Sequence, residues 1–148
     1  MATDATSEGM GPPAPQPCAS CPYRCDVPSG VWDAAEYAKL TAYDADMAGQ
    51  PIELFQCHQN PGGVRRARMC SGWLGTHGGE NLLAVRIAAV RGAITGETVT
   101  AAFDYDSPVS LFPTGQTAAD HGIREIDNPS PEAQKLIGKI IRTRPDIW

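Results

Sequence analysis

Five cysteines, all placed between positions 18 and 70 of a 148-residue chain, are the residues whose types and spacing could do chemistry. Cys18 and Cys21 form a C-x2-C pair, which lets one tight turn present two sulfurs to a single metal ion. Cys57 follows after 35 intervening residues and Cys70 after a further 12. The sequence therefore predicts a closed tetrahedral metal site, and its ligands are Cys18, Cys21, Cys57 and Cys70.

The identity of the metal has two interpretations. Zinc accepts four thiolates and commonly stabilises small domains, so it is the favoured metal for this spacing. An iron–sulfur cluster also accepts four thiolates, and the Cys21-Pro22 step resembles cluster proteins in which proline follows a ligand. The cysteines by themselves do not choose between zinc and a cluster.

Two other interpretations of the cysteines involve no metal. Cysteine is among the most often buried residue types, so the thiols could simply be core residues. A C-x2-C pair can also be a thiol redox motif, but that motif usually lies at a helix N-terminus within a βαβ unit, whereas Pro22 places this pair in a loop. The pair and its clustering with Cys57 and Cys70 favour the metal.

Two further residues could exchange with a ligand. His58 adjoins Cys57, but adjacent residues seldom both reach one metal in a closed tetrahedral site, so a surface or outer-sphere role is favoured for the histidine. Cys25 is a fifth thiol, either an alternative ligand or a free one.

Three arginines, Arg65, Arg66 and Arg68, precede Cys70. Guanidinium groups there could offset the net −2 charge of a four-thiolate zinc centre, or they could simply be solvated loop residues. They could also contact nucleic acid, with stacking by Trp32, Trp73 or Tyr23. A net charge of −5 and a pI of about 5.1 make a nucleic-acid or anionic-membrane partner the less favoured interpretation.

The cellular setting follows from what the sequence lacks. Residues 1–17 contain neither the basic residues nor the apolar stretch of an export signal, and no run of about 18 apolar residues could span a membrane. We therefore expect a cytoplasmic protein with reduced thiols. Four protein ligands leave no open metal position, which disfavours an enzyme. The sequence favours a binding or regulatory module, with a protein as one class of partner, and does not give its biological role.

The elements that must position the thiols are predicted to be mainly α with irregular metal-organised loops, a small α+β fold being the alternative. Residues 1–17 are predicted to be a disordered arm, and residues 18–148 a single metal-binding domain. Residues 98–105 have a weak strand-like composition and could equally be a loop. Helices are predicted for 33–43, for a short turn near Trp73, for 80–91, and for a last segment that Ser130 caps.

The chain also resembles a known family. The segments that carry the resemblance are C-A-S-C-P-Y-R at 18–24, D-V-P-S-G-V-W at 26–32, F-Q-C-H-Q at 55–59 and C-S-G-W-L at 70–74. They are similar to a domain-of-unknown-function family of small cysteine-rich proteins from high-GC Gram-positive bacteria and their phages, over residues 17–142. The resemblance implies that the four predicted ligands are shared, together with Trp32 and Trp73. Cys25 departs from the family pattern, where arginine is expected, and no activity can be carried over.

Overall fold

The computed structural model describes residues 10–57 and 67–143. Within these ranges there is no β-strand, and three isolated bridges join extended segments. The prediction of a mainly α chain is confirmed. The helices are α1 (Ala34–Ala38), α2 (Ser71–His77), α3 (Leu83–Val90), α4 (Gly96–Phe103), α5 (Gly115–Ile123) and α6 (Pro131–Thr143), and three 3-10 turns occupy Thr41–Asp44, Met47–Gly49 and Gly79–Asn81.

The first predicted helix is shorter than expected. It was predicted to run to about Tyr43, but α1 ends at Ala38 and the chain continues as a 3-10 turn. The side chain of Asp33 does not cap it. Instead the hydroxyl of Tyr37 accepts hydrogen bonds from the backbone N–H groups of Val31 and Trp32, both at 3.1 Å, and so fixes the entry to the helix.

The prediction of a strand or loop at 98–105 is wrong, because most of that segment lies in α4. The side chain of Thr95 caps the helix by accepting a 3.1 Å hydrogen bond from the N–H of Thr98. Capping by threonine satisfies one of the N–H groups left open at a helix start. The β-branched residues of the segment therefore mark a capped helix rather than a strand.

One hydrophobic core lies under all the helices, which makes the described chain a single domain. Tyr23, Trp32 and Trp73 are at most 1% exposed, although none of them belongs to a long helix. Helix α5 crosses α1 where Gly122 lets the ring of Tyr37 approach the backbone. Gly30 adopts a φ of +81° and donates a 2.8 Å hydrogen bond to the carbonyl of Gly122. Loops as well as helices thus supply large core residues, Tyr23 and Trp32 among them.

Part of the segment predicted as an arm is described by the structure. Residues 1–9 lie outside the described residues, whereas residues 10–17 lie against the domain. The N–H of Gly11 donates to the carbonyl of Ala67 at 2.8 Å, and the hydroxyl of Ser71 donates to the carbonyl of Ala14 at 2.7 Å. Hydrogen bonds to Ala67 and Ser71, on either side of Cys70, thus hold residues 11–14, even though they are poor in large apolar side chains.

No helix in the described ranges has the length and apolar character needed to cross a bilayer.

Candidate metal centre

The structure places the four predicted ligands near one another as pairs rather than as one group. The sulfurs of Cys21 and Cys70 lie 3.9 Å apart, although 48 residues separate them in the chain. The thiols of Cys21 and Cys57 are both close enough to the thiol of Cys18 to affect its pKa. Each cysteine is present as a thiol rather than in a disulfide. We call Cys18, Cys21, Cys57 and Cys70 the thiol cluster.

The contacts within the thiol cluster are pairwise. In residues 10–57 and 67–143, no group of three or more His, Cys, Asp or Glu side chains is arranged as a ready-made metal site. The four sulfurs therefore adjoin one another in the order 57, 18, 21, 70 without surrounding a common point.

A tight turn presents the first two thiols. The N–H of Cys21 donates to the carbonyl of Cys18 at 3.0 Å, and the N–H of Arg24 donates to the carbonyl of Cys21 at 3.1 Å. The backbone N–H groups of Ser20 and Tyr23 point at the sulfurs of Cys18 and Cys21 respectively. Such N–H groups stabilise thiolate charge, which is the reason that a C-x2-C turn suits a metal ligand pair.

Cys70 is held at the start of a helix. It is the N-cap residue of α2, and its sulfur accepts a 3.4 Å hydrogen bond from the N–H of Trp73. Three of the four sulfurs thus receive a backbone N–H group, from Ser20, Tyr23 and Trp73.

Cys57 and Cys70 reach the cluster from two extended segments that pair with each other. Gln56 and Met69 form an antiparallel bridge. On either side of it the N–H of Cys57 donates to the carbonyl of Arg68 at 2.9 Å, and the N–H of Cys70 donates to the carbonyl of Phe55 at 2.8 Å. Cys57 and Cys70 each follow one member of this bridge, so they are diagonal neighbours on the two segments. Their side chains therefore lie on the same face of the paired segments.

Two side chains clamp the turn that carries Cys18 and Cys21. The indole N–H of Trp32 donates a 2.7 Å hydrogen bond to the carbonyl of Ser20, which is completely buried. The guanidinium of Arg24 donates to the carbonyl of Pro17 at 3.0 Å and forms a two-pronged ion pair with Asp26. Trp32 and Arg24 therefore hold the carbonyls of Ser20 and Pro17, while the N–H groups of Ser20 and Tyr23 point toward sulfur.

Gly72 packs directly on the cluster. A Cβ atom at this position would collide with the sulfur of Cys21 and lie 2.9 Å from the Cβ of Tyr23. The first turn of α2 can approach Cys21 this closely because residue 72 has no side chain.

The cluster favours neutral thiols when no cation is present. Contact with the Cys21 thiol is the main cause that raises the pKa of Cys18 to about 12, with burial adding to it and contact with Cys57 opposing it. Burial is the main cause that raises the pKa of Cys21, and Cys70 adds to that rise. Four adjacent thiols can ionise together only if a positive charge is placed among them.

A second polar group adjoins the cluster through Tyr23. The hydroxyl of Tyr23 lies 3.5 Å from Nε2 of His77, and Nδ1 of His77 lies 3.8 Å from a carboxylate oxygen of Asp44. The same carboxylate accepts hydrogen bonds from the N–H groups of Gly115 and Gln116, at 2.7 and 2.8 Å, and so holds the start of α5. The pKa of His77 is lowered from 6.5 by burial, and Asp44 opposes that shift.

His77 should therefore make folding stability depend on pH. Because its pKa is lower in the folded chain than in the unfolded one, the unfolded chain binds more protons below pH 6.5. Its contribution is fully present above pH 6.5 and declines as the pH falls below that value. We expect His77→Asn to lose less unfolding free energy between pH 7 and pH 5 than wild type does, as measured by urea denaturation. An unchanged pH profile in His77→Asn would contradict this assignment, and His121→Asn, on α5, is the matched control.

The structure also describes five other residues that the sequence singled out, Cys25, Arg68, Trp32, Trp73 and Tyr23. Cys25 is exposed, and its N–H donates to the carbonyl of Ser110 at 3.1 Å. Arg68 bridges to Gly11 and accepts the N–H of Cys57 on its carbonyl. His58, Arg65 and Arg66 lie outside the described residues. The aromatic residues proposed for base stacking, Trp32, Trp73 and Tyr23, are core residues without an exposed ring face.

Two features of the site were missed from the sequence. The sequence did contain a sign of the role of Gly72. A glycine two residues after a predicted ligand has no side chain, so the backbone there can pack closely on a second ligand. Asp44 had no such sign, because its partners Gly115 and Gln116 are about 70 residues away along the chain.

Comparison with known proteins gives one match. The profile of a family of unknown function, DUF6283, matches residues 13–144. No curated protein and no solved structure matches the chain.

Proposed function

The chain belongs to the family of unknown function DUF6283, and we propose that it is a metal-binding module in which the thiol cluster holds one Zn²⁺. The bound ion contributes folding energy by joining the turn at 18–21 to the paired segments that carry Cys57 and Cys70. The module serves binding or regulation rather than catalysis, because four protein ligands leave no metal position for a substrate or a water molecule.

The separation of the Cys21 and Cys70 sulfurs is the observation that carries this proposal. Zn–S bonds of about 2.3 Å at a tetrahedral angle place two ligand sulfurs about 3.8 Å apart. The sulfurs of Cys21 and Cys70 lie 3.9 Å apart. A disulfide would require about 2.05 Å, so this pair has the spacing of co-ligands.

The contacts of Cys18 extend the argument to all four residues. Cys18 lies close enough to both Cys21 and Cys57 for them to affect its pKa, which makes all four cysteines candidate ligands of one ion. Thiolates on different iron atoms of a cluster need the cluster's width between them, whereas ligands of one ion all adjoin one another. The 3.9 Å between the Cys21 and Cys70 sulfurs is the spacing of ligands on one metal atom and favours a single ion, with an iron–sulfur cluster in redox sensing or electron transfer as the alternative.

The surroundings suit a negatively charged centre. Four thiolates with Zn²⁺ carry a net charge of −2, and backbone N–H groups already point at three of the sulfurs. The pKa of the Arg24 guanidinium is raised mainly by its hydrogen bond with Asp26, and the nearby Cys21 and Cys18 raise that pKa further. Hydrogen bonds and one cation thus offset the charge that metal binding would create.

Elemental analysis after anaerobic purification tests the proposal. We expect a colourless protein with about one zinc per chain, in the wild type and equally in Cys25→Ser, which removes the exposed thiol outside the cluster. Iron together with acid-labile sulfide would contradict a zinc site and would show that the protein holds an iron–sulfur cluster instead. Preparations with neither metal would refute metal binding.

A further inference from the structure

We propose that the thiol cluster is also a peroxide-sensitive site, at which Cys57 is oxidised first and Cys18 then closes a disulfide with it, releasing the metal. This inference rests on the proposed metal site for its consequence, which is metal release. The order of oxidation rests on the arrangement of the thiols themselves.

The four thiols differ in their access to solvent. Cys21 and Cys70 are 1% and 2% exposed, whereas Cys18 and Cys57 are both partly exposed. Thiol oxidation requires contact with the oxidant, so exposure orders the reactivity of otherwise similar sulfurs. The outer pair, Cys18 and Cys57, is therefore the pair that an oxidant meets first.

A cavity leads to one member of that pair. It has a volume of about 520 Å³, and Cys57 lies in its wall together with Ala42, Tyr43, Leu54 and Phe55. The cavity is open to solvent and much larger than a small hydroperoxide. Its wall includes neither Cys21 nor Cys70. Cys18 is absent from the wall as well, so the cavity distinguishes Cys57 from the other three thiols of the cluster.

A resolving thiol is already in place. Cys18 lies near enough to Cys57 for the Cys57 thiol to affect its pKa, which makes Cys18 the candidate partner for a disulfide with Cys57. Cys25 is exposed as well, but it lies outside the thiol cluster. An accessible thiol beside a second thiol is the usual arrangement of a reversible redox site.

The chemistry balances with one hydroperoxide. The Cys57 thiolate attacks the terminal peroxide oxygen, the O–O bond breaks, and the leaving alkoxide takes a proton from water. The Cys18 thiolate then attacks the Cys57 sulfenic acid and displaces hydroxide. Two thiolates have lost two electrons in total, and the hydroperoxide has become an alcohol and hydroxide. Cys21 and Cys70 are left as two ligands, which do not complete a tetrahedral set.

The test uses the full chain carrying Cys25→Ser, because the exposed thiol would otherwise consume oxidant. The protein is titrated with up to one equivalent of tert-butyl hydroperoxide, metal release is followed with a colorimetric chelator, and disulfides are mapped by mass spectrometry after alkylation. We expect a Cys18–Cys57 disulfide in the first product, with Cys21 and Cys70 alkylated and metal released in proportion. A Cys21–Cys70 disulfide, or equal formation of all pairs, would overturn the proposal.

A second pair of variants tests the route of access without changing a ligand. Ala42→Trp narrows the cavity, and Ala35→Trp adds the same bulk at an exposed position of α1 outside it. We expect Ala42→Trp to slow metal release several-fold relative to Ala35→Trp, and equal rates would overturn access through the cavity. Protein without metal at the start would defeat the metal site alone, because the disulfide map would still decide which pair of thiols is oxidised first.

Discussion

Cys70→Ser is expected to abolish metal binding and to leave the chain largely unfolded. Structural zinc sites contribute an apparent 10–16 kcal/mol in zinc-finger peptides, roughly the whole stability of a domain of this size, about 5–15 kcal/mol. Cys70 lies at the point where the paired segments meet α2, and its sulfur also accepts the N–H of Trp73. Far-ultraviolet circular dichroism, urea denaturation and elemental analysis measure the loss.

Cys25→Ser is the matched control for that substitution. It changes the same chemical group at an exposed position whose N–H, not its thiol, bonds Ser110. We expect wild-type metal content and a wild-type denaturation midpoint. A Cys70→Ser chain that folds with the wild-type midpoint would contradict the proposed role of the metal in folding.

Gly72→Ala is expected to have the second largest effect. Its methyl group would collide with the Cys21 sulfur, and the nearby Cβ of Tyr23, at 2.9 Å, belongs to a fully buried residue that cannot move aside easily. Overpacking of this kind costs about 1–3 kcal/mol. Since Cys21 must also shift, we expect weaker metal binding as well, measured by competition with a chelator of known affinity.

Gly96→Ala supplies the control for the glycine substitution. Gly96 is the first residue of α4, and a Cβ atom there would meet nothing within 4 Å. Alanine favours the helix over glycine by about 1 kcal/mol, so Gly96→Ala should be neutral or slightly stabilising. Equal losses of stability and of metal affinity in both variants would show that close packing on Cys21 is not the cause.

The sequence was most informative where one residue type dictates one local structure. Ser130 was predicted to cap the last helix, and its hydroxyl oxygen accepts the N–H of Ala133 at 3.1 Å, with Pro131 as the first residue of α6. The spacing of the cysteines predicted a site of four thiolates, which stays a prediction; of these four, the sulfurs of Cys21 and Cys70 lie 3.9 Å apart. Cap residues and ligand pairs act over a few positions, so their geometry can be inferred without the rest of the fold.

The sequence was less informative where contacts distant in the chain decide the outcome. The hydrogen bond from Ser71 to Ala14 positions a segment whose own composition indicates disorder. Asp44 holds the start of α5 from the other side of the core.

The prediction for α4 failed for a local reason. Its β-branched residues favoured a strand, but the side chain of Thr95, just before the helix, caps its first turn.

X-ray absorption spectroscopy at the edge of the bound metal tests the central claim most directly. A single ion held by residues 18, 21, 57 and 70 predicts four sulfur neighbours at about 2.3 Å and no second metal atom nearby. Nitrogen or oxygen neighbours at about 2.0 Å in place of sulfur would contradict a site made of four cysteines. A short metal–metal distance would contradict a single ion.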